Sequence, residues 1–330
     1  MDYTIRTMVA DDADQLVALV RKCFGESYPN KMMYQPEQIA QALADGIMHS
    51  VVAIDPAGKL VGHCALTFAV AGAPVPEAGK MIVDPDCRGQ HLSNRLAELR
   101  MAAAREKNLV GYWSECVTNH PFSQHEIIDM GGVETGLFVG EDAPTWQMAG
   151  VNNVTDVRLS LMAFYVPLRS GPERALYLTG PAADFAQILA QELGIERTIV
   201  RDAAPEAAAS VLAYKAFPEF QFARITVTTI GLDLPEKMAT LVADLEARGI
   251  EVFILDMPLG QANALGAVSA LEALGFFWAA WLPDYTESGD VLRLQKVDAA
   301  VNPEEIVCAR EHGERIKQHV LAERKRVMKL

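Results

Sequence analysis

The chain has 330 residues, 50% of them hydrophobic and 22% charged. At about 100–200 residues per domain this suggests two domains, with ample material for a core, and it excludes wholesale disorder. Lys plus Arg number 29 against 43 Asp plus Glu, a net charge of −14 shared as −8 over residues 1–165 and −6 over the rest; two acidic halves argue against nucleic-acid binding, which needs clustered cations, and suit a cationic partner such as an amine.

The first half predicts an α/β unit. Residues 3–9 alternate as an opening strand. Asp11 and Asp12 precede a helix over 13–24 with apolar Leu16, Leu19, Val20 and Phe24 on one face. Pro36 opens a second helix over 37–44, which Gly46 ends. Residues 50–54 and 60–68 read as a hairpin around Asp55-Pro56-Ala57-Gly58-Lys59. Residues 80–83 form a further strand, stopped by Asp84-Pro85, and a turn over 86–90 leads into a long helix over 92–107. A strand at 110–117, a short helix at 121–130 closed by Gly131-Gly132, and strands at 133–139 and 157–165 complete the unit, with a loop over 141–153 between those last two strands.

The second half starts near Pro172 and repeats the later part of this order: strand 224–230, helix 235–248, strand 252–255, helix 263–274, then strands 276–281 and 291–297. The repeat reads as a degenerate tandem duplication. Residues 298–330 predict one amphipathic helix with apolar Ile306, Val307, Ile316 and Val320 and a basic end at Arg324, Lys325, Arg326 and Lys329.

Five dispersed cysteines form no Cys-x-x-Cys and no zinc spacing, so no metal is expected and the thiols fit a reducing, cytoplasmic setting. Residues 1–12 lack a basic region followed by an apolar stretch, so no signal peptide is expected, and no apolar run approaches the ~20 residues of a membrane span.

The chemistry-bearing segment is 81–96. A strand (Met81, Ile82, Val83) runs through Asp84-Pro85 into Arg88-Gly89-Gln90-His91-Leu92-Ser93 and directly into the long helix. Free backbone N–H groups and the helix dipole make such a turn an anion cradle suited to pyrophosphate. It is neither a Walker A loop nor a GxGxxG, and its bland reading is an ordinary strand-to-helix turn.

These residues resemble the GNAT acetyltransferase superfamily, whose pattern is a strand ending Val-x-Pro, then Arg/Gln-x-x-Gly-x-Gly/Ala. Arg88 matches, while His91 and Ser93 replace the two glycines. The element order over 3–165 is also similar to that superfamily. The second half resembles it over 224–297, in Leu274-Gly275-Phe276, Trp281-Leu282-Pro283 and Asp290-Val291-Leu292-Arg293-Leu294-Gln295, but it has no cradle: Asp233 and Glu236 sit where phosphates would lie. The resemblance implies two GNAT-like mixed-sheet domains in tandem, over 1–168 and 173–297, with 298–330 as the terminal helix.

The activity so implied is transfer of acetyl from acetyl-CoA to the amine of a small molecule or protein, by direct attack and without membrane or nucleic-acid partners; an oligomer stays open. Acetyl-CoA would contact Met81, Ile82, Val83, Arg88, Gly89, Gln90, His91, Leu92, Ser93 and Asn119, with a strand N–H at 81–83 as the oxyanion donor. Many relatives place a Tyr near position 127 to protonate the leaving thiolate; here it is Ile127. Glu115 and His120 are the candidate base and acid, with Ser123 one turn beyond His120. Their bland readings are a solvated acid, an exposed His after a Thr118 or Asn119 cap, and a helix-face hydroxyl. Glu26, with Tyr28 and Tyr34, is a candidate acceptor-recognition loop, or a solvated acid. His63 and Cys64 are strand packing, since neighbours on a strand face opposite ways. The altered glycines and missing Tyr keep a second class open, a non-catalytic regulatory protein that binds acyl-CoA or another metabolite.

Overall fold

The computed structural model describes residues 2–69, 71–144 and 157–329. In chain order the first half contains β1 (Thr4–Thr7), α1 (Ala13–Phe24), α2 (Pro36–Ala44), β2 (Met48–Ile54), β3 (Leu60–Thr67), β4 (Glu77–Val83), α3 (Leu92–Glu106), β5 (Gly111–Val117), α4 (Phe122–Asp129), β6 (Val133–Asp142) and β7 (Leu159–Pro167). The second half contains β8 (Arg174–Tyr177), α5 (Gly180–Leu193), β9 (Arg197–Val200), β10 (Val211–Phe217), β11 (Phe222–Thr229), α6 (Leu234–Ala247), β12 (Val252–Pro258), α7 (Ala264–Glu272), β13 (Phe277–Thr286), β14 (Gly289–Val297) and α8 (Glu311–Met328).

Among the described residues twelve strands form one sheet, in the order β1-β2-β3-β4-β5-β7-β6-β13-β14-β12-β11-β10, and β8 pairs with β9 separately. Read inward from each side, β4-β5-β7-β6 mirrors β11-β12-β14-β13. Each set opens with a parallel pair and continues antiparallel. The repeated element order in the sequence therefore has a topological counterpart. The two sets meet where β6 and β13 run antiparallel at Gly136 and Ala280. A Cβ at Gly136 would collide with Ala280 and the Ala279 carbonyl, so the junction needs a residue without a side chain there. Gln295 Oε1 accepts the Val139 N–H at 2.8 Å across the same seam.

The faces of the first half follow from alternation. Val51, Ala53 and Cys64 pack against Leu92 and Leu96 of α3, while Val52, Leu60, Ala65 and Ile82 pack against Leu16, Leu19 and Val20 of α1. Tyr112, Ser114 and Cys116 of β5 turn toward the α3–α4 side, where buried Arg100 bonds Glu126 at 2.7 Å and lies over the Tyr112 ring. Phe276, Phe277 and Trp278 are sheet core.

Three expectations are corrected. The tail is not one helix from 298: a short 3-10 turn at Pro303–Glu305 and an extended stretch come first, and α8 begins at Glu311. That stretch is used instead to cover β5, since the Val307 N–H donates to the Thr118 carbonyl at 2.7 Å. The strand predicted to end at 139 continues to Asp142, so Glu141 and Asp142 belong to β6 and not to a loop; residues 145–153 of that predicted loop lie outside the described residues. Segment 172–222, which carried no assignment, holds β8, α5, β9 and β10. No helix of the described residues is long and apolar enough to cross a membrane.

Candidate active site

β4 and β5 are parallel neighbours that pair only at Glu77 and Trp113, and beyond that point no ladder pair joins them among the described residues. The Ser114 hydroxyl donates to the Ala78 carbonyl at 2.8 Å just before they part. The divergence has a local cause. The β3–β4 register shifts between His63 and Ala65, and Lys80 sits at φ 55°, a left-handed conformation that makes a bulge. Buried His63 pins that bulge, with Nδ1 2.9 Å from the Lys80 carbonyl and Nε2 3.0 Å from Ser50 Oγ. Burial pushes the His63 pKa down to about 4, so the ring is neutral and Nδ1–H donates. Met81, Ile82 and Val83 follow the bulge along the opened edge.

The turn after β4 is organised by Asp84, which accepts from Lys22 at 2.6 Å and Lys59 at 3.0 Å and caps its own 3-10 turn through the Asp86 N–H. Burial alone would raise the Asp84 pKa, but the two lysines outweigh it and hold it at about 2. Arg88 follows as an exposed cation with no carboxylate partner among the described residues. Gly89 takes φ 75°, and His91, the N-cap of α3, takes φ 56° without a side-chain cap. No acid stands in the first turn of α3, so its N–H groups and positive dipole end face outward uncompensated. Leu92 is buried beneath them, anchoring the helix start. The corresponding end of α6 differs. Asp233 is its N-cap and Glu236 lies in its first turn. Bonds from Ser210 and Lys237 hold Asp233 well below the usual carboxylate range.

His91 carries a Cβ at a left-handed position, which costs about 1–2 kcal/mol. Substitution by Gly removes that strain and gives back part of it as chain entropy, about 0.5–1 kcal/mol. His91→Gly should therefore raise stability by roughly 0.5–1 kcal/mol and tighten acetyl-CoA binding. Denaturant melts and calorimetric titration check both, and a destabilised variant would show that the His91 side chain makes contacts that matter more than its backbone.

On the opposite face of β5 from α3, a cavity of about 680 Å³ lies under the junction of the halves. Glu115 of β5 and Glu141 and Asp142 at the end of β6 line it. Pro29 and Asn30 of the α1–α2 loop contribute from one side, and β10, β11 and the turn between them close the other with Phe217, Phe220, Phe222 and Arg224. Glu115 is largely buried, and its Oε1 accepts from Arg293 Nη1 at 3.1 Å. Arg293 is wholly buried on β14 and already spoken for by Asp256, with bonds of 2.6 and 3.0 Å, and by Tyr285 at 3.1 Å. One guanidinium thus faces two carboxylates. Burial and the neighbouring Glu141 charge raise the Glu115 pKa well above the carboxylate range, against the pull of Arg293 and Arg224. Burial likewise takes Asp142 up to about 7, with Glu141 adding to it. Glu141 Oε1 bonds Arg224 at 3.0 Å, whereas its buried Oε2 has no partner among the described residues. Arg158 donates to the Gly140 and Glu141 carbonyls and, at 3.0 Å, to the Phe220 carbonyl, tying β6 to the aromatic wall of the second half.

The candidate residues do not all converge. Glu115 faces the cavity beside the splayed strands. Ser123 does not join it, because its hydroxyl lies against Cys116 on the other face of β5. His120 precedes α4 instead of sharing a helix face with Ser123, lies tilted against Phe122 with ring centroids 5.0 Å apart, and is pushed down in pKa by burial. Asn119 lies two residues past the end of β5, in the bend before α4, and Ile127 is buried. Glu26 points outward to Arg21, while its loop neighbours Pro29 and Asn30 reach the cavity. Missed were Glu141, Asp142, Arg224 and Arg293. The signal for Arg293 was present: an arginine and a glutamine inside Val291-Leu292-Arg293-Leu294-Gln295 demand buried partners.

Comparison with known proteins bears on the first half. A family model for the Acetyltransferase (GNAT) family matches residues 13–125. Among curated proteins none matches the sequence significantly. Similar solved structures include mutant forms of the spermidine/spermine N-acetyltransferase SpeG from Vibrio cholerae, at 18% identity and TM-score 0.39 over 50% of this chain and 95% of that one. Spermidine N-acetyltransferase from Vibrio cholerae in complex with CoA and spermine is similar at 17% identity and TM-score 0.40, over 50% and 95% of the respective chains. The stretch that holds the split strands and the uncapped helix start, residues 13–125, is thus similar to the acetyltransferase (GNAT) family.

Proposed function

We propose that the protein is an acetyl-CoA-dependent N-acetyltransferase with its donor site in the first half and its acceptor site in the cavity between the halves. Acetyl-CoA would lay its pyrophosphate on the turn Arg88, Gly89, Gln90, His91, Leu92 and Ser93 and its acyl arm along Met81, Ile82 and Val83, past Asn119. The observation that carries the reading is the position of Glu115, on the strand that bounds the opened edge of β4 and with its side chain in an acid-lined cavity. An ammonium entering there is held by Glu141 and Asp142 and gives its proton to Glu115. The neutral nitrogen attacks the thioester carbonyl, and a β4 N–H receives the oxyanion. The collapse expels the CoA thiolate, which takes a proton from the protonated Glu115, since Ile127 has none to give, and the acylated nitrogen sheds its remaining excess proton to water.

The second half is proposed as a related unit without a donor site of its own, because Asp233 and Glu236 occupy the α6 start. Calorimetry should therefore find one acetyl-CoA per chain, and a thiol-release assay with a panel of amines should show turnover. Two equivalents bound would overturn the single-site reading. One equivalent bound with no thiol released by any amine would favour the non-catalytic acyl-CoA sensor that the substituted glycines and Ile127 keep in view.

A further inference from the structure

Resting on the acetyltransferase reading, we infer that the acceptor is a monoamine with an apolar, ring-sized body, recognised jointly by the acids of the first half and the aromatic wall of the second. The cavity is about 680 Å³, within the range of small-molecule sites. Its acids are gathered on β5 and the end of β6, and the buried, unpartnered Glu141 Oε2 is an acceptor awaiting a donor. Glu141 is 94% buried, so solvent does not satisfy that oxygen. A ligand ammonium does.

The wall opposite is of another character. Phe217 and Phe222 face each other in the β10–β11 register with ring centroids 5.8 Å apart, and Phe220 joins them from the 3-10 turn. These rings give an apolar body a surface to cover. The cations on that wall then exclude alternatives. Lys215, over the Phe217 ring at 4.9 Å, stands opposite Arg224 in register. The second ammonium of a polyamine would lie against these two like charges. An α-amino acid fails at the other end, because its carboxylate, one carbon from the nitrogen, would be pressed among Glu115, Glu141 and Asp142. A monoamine with an apolar body meets neither penalty.

The test uses the full chain, saturating acetyl-CoA and thiol release with phenethylamine, ethylamine, spermidine and L-phenylalanine. Phenethylamine should exceed ethylamine in kcat/KM by at least tenfold, since burying a ring against three others is worth one to two decades. Phe217→Ala should collapse the phenethylamine-to-ethylamine ratio toward one, and Phe217→Leu should restore part of it. Spermidine or L-phenylalanine equalling phenethylamine would overturn the inference while leaving the acetyltransferase standing. If no amine releases thiol, the acetyltransferase reading fails. Titration of phenethylamine into the chain and into Phe217→Ala then decides the recognition claim alone: binding that weakens at least tenfold in the variant upholds it, and no binding ends it.

Discussion

Glu115→Gln should lower kcat by roughly 10²–10⁴-fold near neutral pH, the usual contribution of a positioned base, while acetyl-CoA affinity stays within about twofold because the donor cradle lies elsewhere. Gln keeps the shape and still accepts from Arg293 through its amide oxygen, so the Arg293–Asp256–Tyr285 cluster persists. What it cannot do is take a proton. The pH dependence separates a base from a merely structural acid. Burial raises the pKa of Glu115, so the carboxylate form is scarce at low pH and accumulates as pH rises. The wild-type kcat should therefore climb with pH to a plateau above the ordinary carboxylate range. In the variant that inflection should vanish, leaving a slope of about tenfold per pH unit that follows the neutral fraction of an amine whose pKa is near ~10. High pH thus recovers part of the loss. Full turnover across the whole profile would mean that water or another group carries the proton.

The proposed base is tuned from the second half of the chain. Arg293 and Tyr285 belong to the second half, as do the rings that face the acids. Sequence reasoning located the first half well because its signals are local. Helix periodicity and flanking acids gave 13–24 to the residue, and the Val83-Asp84-Pro85 stop with the Arg88-Gly89 turn marked the uncapped start of α3. Even the face of β5 was half legible, since alternation groups Trp113, Glu115 and Val117. Which group meets the cavity depends on where β13 and β14 lie, and that is fixed by the Gly136–Ala280 junction, a contact spanning 144 residues of chain. The same holds for β4. Its first residues, Glu77, Ala78 and Gly79, were not read as strand because Gly79 interrupts the pattern, yet the bulge that opens the sheet follows at once at Lys80. Segment 172–222 escaped for another reason: β10 is an edge strand with exposed Val211 and Tyr214, so it lacks the apolar run that marks buried strands. Its cavity-facing residues, Phe217 foremost, were invisible with it.

Arg88→Glu should weaken acetyl-CoA binding by roughly 30- to 1000-fold. A unit charge about 4 Å from another is worth about 1 kcal/mol even in water and more near a protein surface, and the substitution reverses the sign of one partner of a doubly charged pyrophosphate. Two to four kcal/mol is a reasonable span, at about 1.4 kcal/mol per decade. The backbone should not suffer, because Arg88 is exposed and bonded to no carboxylate among the described residues, and the turn is held by Asp84 with Lys22 and Lys59 and by the buried Leu92. Arg88→Gln should fall between the two. The control is Arg105→Glu, the same charge change in the last turn of α3, some 13 residues and roughly 20 Å further along the helix. At 0.1 M salt that distance exceeds the Debye length of about 10 Å, so the control should bind acetyl-CoA almost as the wild type does. Raising salt toward 1 M should shrink the gap between Arg88→Glu and wild type as screening tightens to about 3 Å. Calorimetric titration of all four proteins at two salt concentrations gives the answer. An unchanged Kd for Arg88→Glu at low salt would place the pyrophosphate away from the start of α3, and with it the whole donor site.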